Sequence, residues 1–147
     1  MFSPRNPVMA YRRVGLESDV ASANPHRLVH LLYDGALQSV RTARSQMESG
    51  QLAAKGMAIS KAIRIVDEGL KASLDPARGG DLAARLAALY DYIERRLLDA
   101  GSLNDPRALE EVEGLLATLR DAWAAIEPEP PAPVPATRGS YGALAAA

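Results

Sequence analysis

The chain has 147 residues, 48% hydrophobic and 24% charged, which suits one domain with a packed core and argues against global disorder. Its 17 basic and 18 acidic residues nearly cancel, so the basic surplus typical of a nucleic-acid-binding protein is missing. The chain lacks cysteine, which excludes disulfides and thiolate chemistry. It also lacks a signal-peptide core and any uninterrupted apolar run of about 18 residues. We therefore expect a soluble, cytoplasmic protein with no membrane insertion.

Residues 1–24 are predicted to form an N-terminal arm. Prolines and a glycine interrupt any helical pattern there, but the stretch is more apolar than an ordinary polar tail. Its apolar side chains are Phe2, Val8, Met9, Tyr11, Val14 and Leu16. Such an arm is expected to pack on its own domain.

The first two helices are predicted within residues 25–74. Asn24 and Pro25 combine an N-cap residue with a proline at the first helical position, and Gly50 ends the helix that follows. The second helix covers about 51–74, with an apolar stripe at helical spacing formed by Ile59, Ile63, Val66 and Leu70.

The third helix is predicted to begin near Asp81, after Gly79-Gly80, and to end at Gly101. The fourth follows Asp105-Pro106, a second cap-then-proline pair, and its apolar residues alternate in steps of three and four. They are Leu109, Val112, Leu116, Leu119, Trp123 and Ile126. This spacing is typical of helices that pack at shallow crossing angles.

Four helices with short connections predict an all-α fold, an antiparallel up-down-up-down four-helix bundle over residues 25–126. Residues 127–147 form a separate tail. Five of the eight residues in 128–135 are proline, and the end is rich in alanine. Proline lacks the helical donor, so this tail is predicted to be disordered.

The helices carry more apolar residues than one narrow seam requires. Burial of a large apolar side chain contributes roughly 1.5–3 kcal/mol, so exposure of these residues forgoes that gain. Two interpretations remain open: a groove that a partner or the arm covers, or a wider core. The residues concerned are Val29, Leu31, Tyr33, Leu37, Met57, Ile65 and Leu98.

No catalytic set is apparent. His26 and His30 have a spacing that could chelate a metal, but no third ligand or HExxH motif accompanies them, so we expect no metal and no cofactor. A histidine phosphotransfer bundle that uses His30 is the alternative function. Gly35 could admit a phosphoryl donor, whereas Asp34 would repel it. The absence of a P-loop, GxSxG or GxGxxG motif adds to the expectation that the protein is not an enzyme.

Several local strings, in a fixed order, resemble the flagellin-specific secretion chaperones, the FliS family. The first helix carries NPHRLVHLLYDGAL at 24–37, and the second carries ISKAIRI at 59–65. The third carries LAALYDY at 86–92, with Arg95-Arg96-Leu97 behind it, and the fourth ends in LRDAW at 119–123. The similarity spans about residues 10–126. It leaves the proline-rich tail unassigned.

The resemblance implies a cytoplasmic export chaperone without enzymatic activity. Members of the family bind the disordered C-terminal segment of flagellin, prevent its premature polymerisation and present it to the flagellar type III export apparatus. Flagellin and a component of that apparatus are therefore the expected partners. The apolar stripe leaves open whether the free chain forms a homodimer.

The resemblance also suggests which residues contact the client. They lie in the arm and the first two helices: Tyr11, Val14, Leu31, Leu32, Tyr33, Ile59 and Ile63. In the family the arm can cover part of the client surface, so Tyr11 and Val14 are expected to form an internal lid. Apart from the resemblance, an interhelical ion pair between Asp34 and Lys61 is the structural alternative to a functional role for these two residues.

Overall fold

The computed structural model describes Ala10 and residues 24–126. Within 24–126 the chain forms four helices, of which the second changes from α to π and then to 3-10 geometry near its end. They are α1 (Pro25–Glu48), α2 (Leu52–Arg64, continued by Ile65–Leu70 and Lys71–Ser73), α3 (Pro76–Leu103) and α4 (Pro106–Ala125). Each helix contacts the next one in sequence, and α4 returns to contact α1. This arrangement confirms the predicted antiparallel bundle.

The same device starts three of the helices. Asn24 accepts a hydrogen bond from the Arg27 backbone at 2.8 Å, Asp105 does so from Arg107 at 2.9 Å, and each precedes a proline. Asp75 caps α3 in the same way. A short turn at residues 76–79 therefore precedes the predicted start of α3 near Asp81.

A bend at Gly80 divides this turn from the rest of α3, in agreement with a regular helix that starts near Asp81. Gly80 has φ 52° and ψ −127°, a conformation that separates the first turn of α3 from the rest of the helix. The regular apolar spacing therefore resumes only after the bend.

The other end of α3 differs from prediction, since the helix runs past Gly101 to Leu103. Asn104 stops it with a left-handed conformation of φ 51°. Lys55 of α2 provides hydrogen bonds to the C-terminal end of α3. Its Nζ donates to the Gly101 carbonyl at 3.3 Å and to Asn104 Oδ1 at 2.8 Å. Gly50, with φ 74°, follows the end of α1 as predicted.

The core lies between the four helices, and α1 contributes to it Leu28, Leu32, Ala36, Val40, Ala43 and Met47. The surplus apolar residues divide between the two interpretations. Leu37 and Ile65 are buried and widen the core, whereas Met57 and Leu98 are 75% and 60% exposed. Along α4 the stripe is buried as far as Leu116, and the residues beyond it are progressively more exposed.

Candidate partner-binding surface

The structure places the predicted client contacts mainly inside the bundle. Leu32, Tyr33 and Ile59 belong to the core and are at most 4% exposed. Leu31 and Ile63 are partly buried and pack against that core. Among these five residues, only Leu31 and Ile63 keep surface that a partner can reach in this conformation. Tyr11 and Val14 lie outside the described residues, although the neighbouring Ala10 is helical and buried.

A groove runs along the outer surface between α1 and α2, and we call it the α1–α2 groove. Its volume is about 1250 Å³. The α1 wall is formed by Gly35, Gln38, Ser39, Thr42 and Gln46. The two helices are antiparallel, so the Gly35 end of this wall lies opposite Arg64 and the Gln46 end opposite Ala53. Each wall covers three turns, a length of roughly 17 Å at 1.5 Å per residue.

The α2 wall consists mostly of small side chains between Ala53 and Ser60. Met57 is the exception. It lies at the groove and is the most exposed of the large apolar side chains in residues 24–126, at 75%. An unbranched thioether adapts to differently shaped partners, so Met57 offers an apolar contact that does not demand one fixed shape.

One end of the groove is positively charged, because Lys61 and Arg64 line it. Arg64 Nε lies 3.7 Å from Glu68 Oε1. Lys61 is exposed and joins no ion pair within residues 24–126. The expected pair of Lys61 with Asp34 is wrong, since Asp34 instead lies 3.4 Å from Arg120 Nη1.

The opposite end contains an unsatisfied polar atom. Gln46 Oε1 is buried and has no hydrogen-bond partner. A buried amide oxygen without a donor costs roughly 1–3 kcal/mol. The groove therefore has positive charge at one end and a buried, unsatisfied amide oxygen at the other.

Two other cavities differ in character. The cavity between α1 and α4, of about 550 Å³, is lined by charged groups such as Arg41 and Arg120. These are already neutralised, since Arg41 Nε lies 2.8 Å from Glu113 Oε2 and Arg120 lies beside Asp34. A smaller apolar cavity of about 320 Å³ lies at the α2–α3 corner, near Leu74 and Pro76. Neither combines the length and the unpaired polar groups of the α1–α2 groove.

The histidines do not form a catalytic arrangement. His30 Nε2 lies 3.4 Å from Asp34 Oδ2, so a carboxylate occupies the position from which a phosphoryl group would approach. His26 stacks on the Trp123 ring. Among the residues that the structure describes, no three His, Asp or Glu side chains are placed to hold a metal ion. No helix in the same part of the chain is long and apolar enough to cross a bilayer.

The described residues define an all-α bundle protein with an open groove between two neighbouring helices, a shape that can hold a helical segment of another chain. Comparison with known sequences places the chain within that class more narrowly. The profile of the family described as "Flagellar protein FliS" matches residues 7–130. The chain therefore belongs to the FliS family, as the local strings predicted.

The relatives support this assignment along most of their length. The chain is 51% identical over 122 residues to the flagellar secretion chaperone FliS of Salmonella typhimurium, covering 83% of this chain and 90% of the relative. It is 44% identical over 116 residues to FliSB of Pseudomonas aeruginosa, covering 79% and 91%. It is 37% identical over 119 residues to FliS of Bacillus subtilis, covering 81% and 84%. Since this family is one of chaperones, membership supports the expectation that the chain is not an enzyme.

Proposed function

We propose that the chain is a cytosolic export chaperone that binds the disordered C-terminal segment of flagellin. In this role it prevents premature polymerisation and delivers flagellin to a component of the flagellar type III export apparatus. The observation that carries the proposal is the similarity to proteins named flagellar secretion chaperones over about four fifths of the chain.

The surface of the bundle is suited to such a client. A segment that becomes ordered on binding loses chain entropy, so it needs a long contact to offset that loss. The α1–α2 groove supplies three turns of contact, and the exposed Leu98 and Leu103 of α3 add apolar area elsewhere on the bundle. These features favour a client that wraps around several faces.

The predicted contact residues differ in how accessible they are to a client. Leu31 of α1 and Ile63 of α2 retain surface, so they are the members of the set that a client can touch directly, but neither lines the α1–α2 groove. Leu32, Tyr33 and Ile59 lie inside the core on the same two helices. Their substitution would alter binding through the shape of the bundle.

The N-terminal arm is proposed to act as an internal lid through Tyr11 and Val14. The burial of Ala10, 1% exposed, supports an arm that packs on its own chain. Deletion of residues 1–17 should then increase the association rate or the affinity for the client. Calorimetry compares client binding by the full chain with client binding by the chain that lacks residues 1–17. Equal binding by the two would remove the lid from the proposal.

The decisive experiment is co-purification of the full chain with flagellin from the same genome, with and without the flagellin C-terminal segment. A stable complex that requires this segment, with a negative heat-capacity change in calorimetry, supports the proposal. Equal recovery of both flagellins, or of neither, contradicts it. Sedimentation of the free chain measures whether a homodimer competes for the same surfaces.

A further inference from the structure

The last part of α2 departs from α-helical geometry where it contacts α3. Ile65–Leu70 is π-helical and Lys71–Ser73 is 3-10 helical, and the Ser73 hydroxyl donates to the Gly69 carbonyl at 2.7 Å across the change between them. Both geometries are rarer than the α-helix, and short stretches of them commonly mark hinges or functional positions. We call residues 65–73 the α2 end, and we expect α2 to open there first.

Two polar contacts hold the α2 end against α3. Lys71 Nζ pairs with Asp91 Oδ1 at 2.5 Å. The second contact joins two carboxyls, because Asp67 lies within hydrogen-bonding reach of Glu94. Two ionised carboxylates repel each other at this range, whereas a carboxyl that keeps its proton can donate it to its neighbour. The second contact is therefore favourable only while one proton is present.

The surroundings of Glu94 favour its protonated form. Its Oε2 is buried and has no hydrogen-bond partner within residues 24–126. An ionised carboxylate needs donors for its oxygens, and burial without them is costly. In the same part of the chain, the charged groups that act on Glu94 are Asp67 and Lys71 from the α2 end and Asp91 from its own helix. Ionisation of Glu94 thus leaves three carboxylates facing one ammonium group.

Burial and neighbouring charge together place the ionisation of Glu94 near neutral pH. Burial is the largest cause and the charge of Asp67 the next, and they raise the pKa of Glu94 to about 7 against the opposing effect of Lys71. The folded state therefore binds this proton more tightly than the unfolded chain does. The contribution of the carboxyl contact is present at acidic pH and is lost as the pH rises through about 7.

Movement of the α2 end would uncover apolar surface. Lys71, Ala72 and Leu74 line the apolar cavity at the α2–α3 corner, so this segment forms one of its walls. Leu70 is 1% exposed, and Leu74 packs against the core. The hydrogen bonds that join α1 to α4 do not involve the segment. Separation of the α2 end from α3 is therefore compatible with a bundle that otherwise stays closed.

We propose that Asp67 and Glu94 form a proton-operated latch on the α2 end. With a proton held between the two carboxyls, the latch keeps residues 65–73 against α3. Loss of this proton lets the segment separate from α3 while the rest of the bundle stays folded. The latch is a property of the fold and is independent of the proposed function.

The first test measures local opening by amide hydrogen exchange. The full chain is followed by NMR at pH 6 and pH 8 in low urea, with the rates corrected for the intrinsic effect of pH. Amides of the α2 end should be less protected than those of the α4 core, and their exchange should depend little on urea, because local opening exposes little surface. Their protection should fall roughly five- to tenfold from pH 6 to pH 8, a smaller change than complete burial would give, because Glu94 is partly exposed.

The same experiment can refute the latch. Equal protection and equal urea dependence of the α2 end and the α4 core would mean that residues 65–73 open only when the whole bundle unfolds. Protection of the α2 end that is the same at pH 6 and pH 8 would mean that no proton controls its opening. Either result overturns the proposal.

Substitutions test which groups set the pH of release. Glu94→Gln keeps a neutral side chain and should abolish the difference between pH 6 and pH 8. Asp67→Asn removes a repulsive charge and should move the midpoint to lower pH, whereas Lys71→Gln removes an attractive one and should move it to higher pH. Glu48→Gln, at an exposed position of α1, is the control and should leave the midpoint unchanged. An unaltered pH dependence in Glu94→Gln would assign the effect to another group and contradict the latch.

Thiol labelling tests the opening by a second route. Since the chain has no cysteine, Val66→Cys and Val112→Cys each place one thiol at a fully buried position, in the α2 end and in α4 respectively. At pH 8 the thiol at residue 66 should react at least about tenfold faster, because local opening needs less free energy than global unfolding. Adding Glu94→Gln should slow this reaction at the same pH. Equal rates at the two positions, in variants that circular dichroism shows to be folded, would contradict local release.

Discussion

His26 and Trp123 join the first turn of α1 to the last turn of α4 by two reciprocal hydrogen bonds. The Trp123 Nε1–H donates to the His26 carbonyl at 2.8 Å, and His26 Nε2 lies 2.9 Å from the Trp123 carbonyl. The rings stack with centroids 4.9 Å apart and planes 15° apart. Because a carbonyl only accepts, Nε2 must carry the proton. This contact closes the ring of helices at the end where the described bundle begins and ends.

Substitution at this contact should show strong coupling between the two residues. Trp123→Phe removes the indole donor and should lower the free energy of unfolding by roughly 0.5–1.5 kcal/mol. His26→Ala removes the stack and the second hydrogen bond, and as a single variant it should lower the free energy of unfolding by about 1–2 kcal/mol. In a double-mutant cycle by chemical denaturation, the combined loss should be smaller than the sum by at least about 0.5 kcal/mol. Strict additivity would mean that the two side chains contribute independently.

The hydroxyls of Tyr33 and Tyr90 form a second long-range contact, 2.6 Å long, between α1 and α3 across the core. Tyr33→Phe leaves the buried Tyr90 hydroxyl without this partner and should cost roughly 1–3 kcal/mol. The double variant with Phe at both positions should be more stable than either single variant, because no orphaned hydroxyl remains. Urea denaturation of the three variants provides the measurement. A double variant as unstable as the sum of the singles contradicts this account.

Ionisation of the same tyrosines should destabilise the protein at high pH. Burial raises the pKa of Tyr33 and, more strongly, the pKa of Tyr90. An unfolded tyrosine ionises near pH 10, so the unfolded chain releases these protons first and stability falls as the pH rises above about 10. The double Phe variant should lose less stability than the wild type between pH 9 and 11. Thermal melts across this range measure the difference.

The sequence predicts the helices well where a local signal is unambiguous. Asn24 and Asp105 cap α1 and α4 as expected, because an N-cap with a following proline is a purely local arrangement. The start of α3 at Pro76 carried the same signal at Asp75. The predicted start near Asp81 marks the part of α3 beyond the bend at Gly80, whereas the capped turn at residues 76–79 was not predicted.

The site is harder to predict, because apolar periodicity cannot distinguish core from surface on a helix that is apolar on several sides. Leu31 and Leu32 are adjacent in sequence, yet one keeps surface and the other is fully buried. Gly56 and Gln46 carry no sequence signal that marks them as lining the α1–α2 groove. The stripe from Ile59 to Leu70 likewise gives no sign of the π-helical geometry at Ile65–Leu70.

Glu94 of α3 should make the stability of the bundle depend on pH near neutrality. Burial, reinforced by the charge of Asp67, raises the pKa of Glu94 to about 7, although Lys71 opposes the shift. Asp91 also faces this carboxyl, and it pairs with Lys71 Nζ at 2.5 Å. One Glu94 oxygen is buried without a hydrogen-bond partner, in agreement with a carboxyl that prefers to keep its proton.

The direction of the effect follows from proton binding. The folded state holds the Glu94 proton more tightly than the unfolded state, so its contribution is present at low pH and is lost as the pH rises through about 7. Glu94→Gln keeps the neutral form at every pH. It should raise Tm by a few degrees at pH 8, corresponding to roughly 1 kcal/mol after solvent screening, and change it little at pH 5. Glu48→Gln, at an exposed position at the end of α1, is the matched control and should show no such pH difference.

Gly80 and Gly114 should respond in opposite directions to the same substitution. Gly80 combines φ 52° with ψ −127°, a region that only glycine occupies readily, so Gly80→Ala should cost roughly 1–3 kcal/mol. Gly114 lies in the middle of α4 with open space around its Cβ, and Gly114→Ala should add about 0.5–1 kcal/mol of stability. Denaturant midpoints for the two variants, together with Gly56→Ala, test the comparison. A stabilising Gly80→Ala would show that the bend between the first turn of α3 and the rest is not held by backbone conformation. In that case the α2–α3 corner would have to be fixed by its side chains alone.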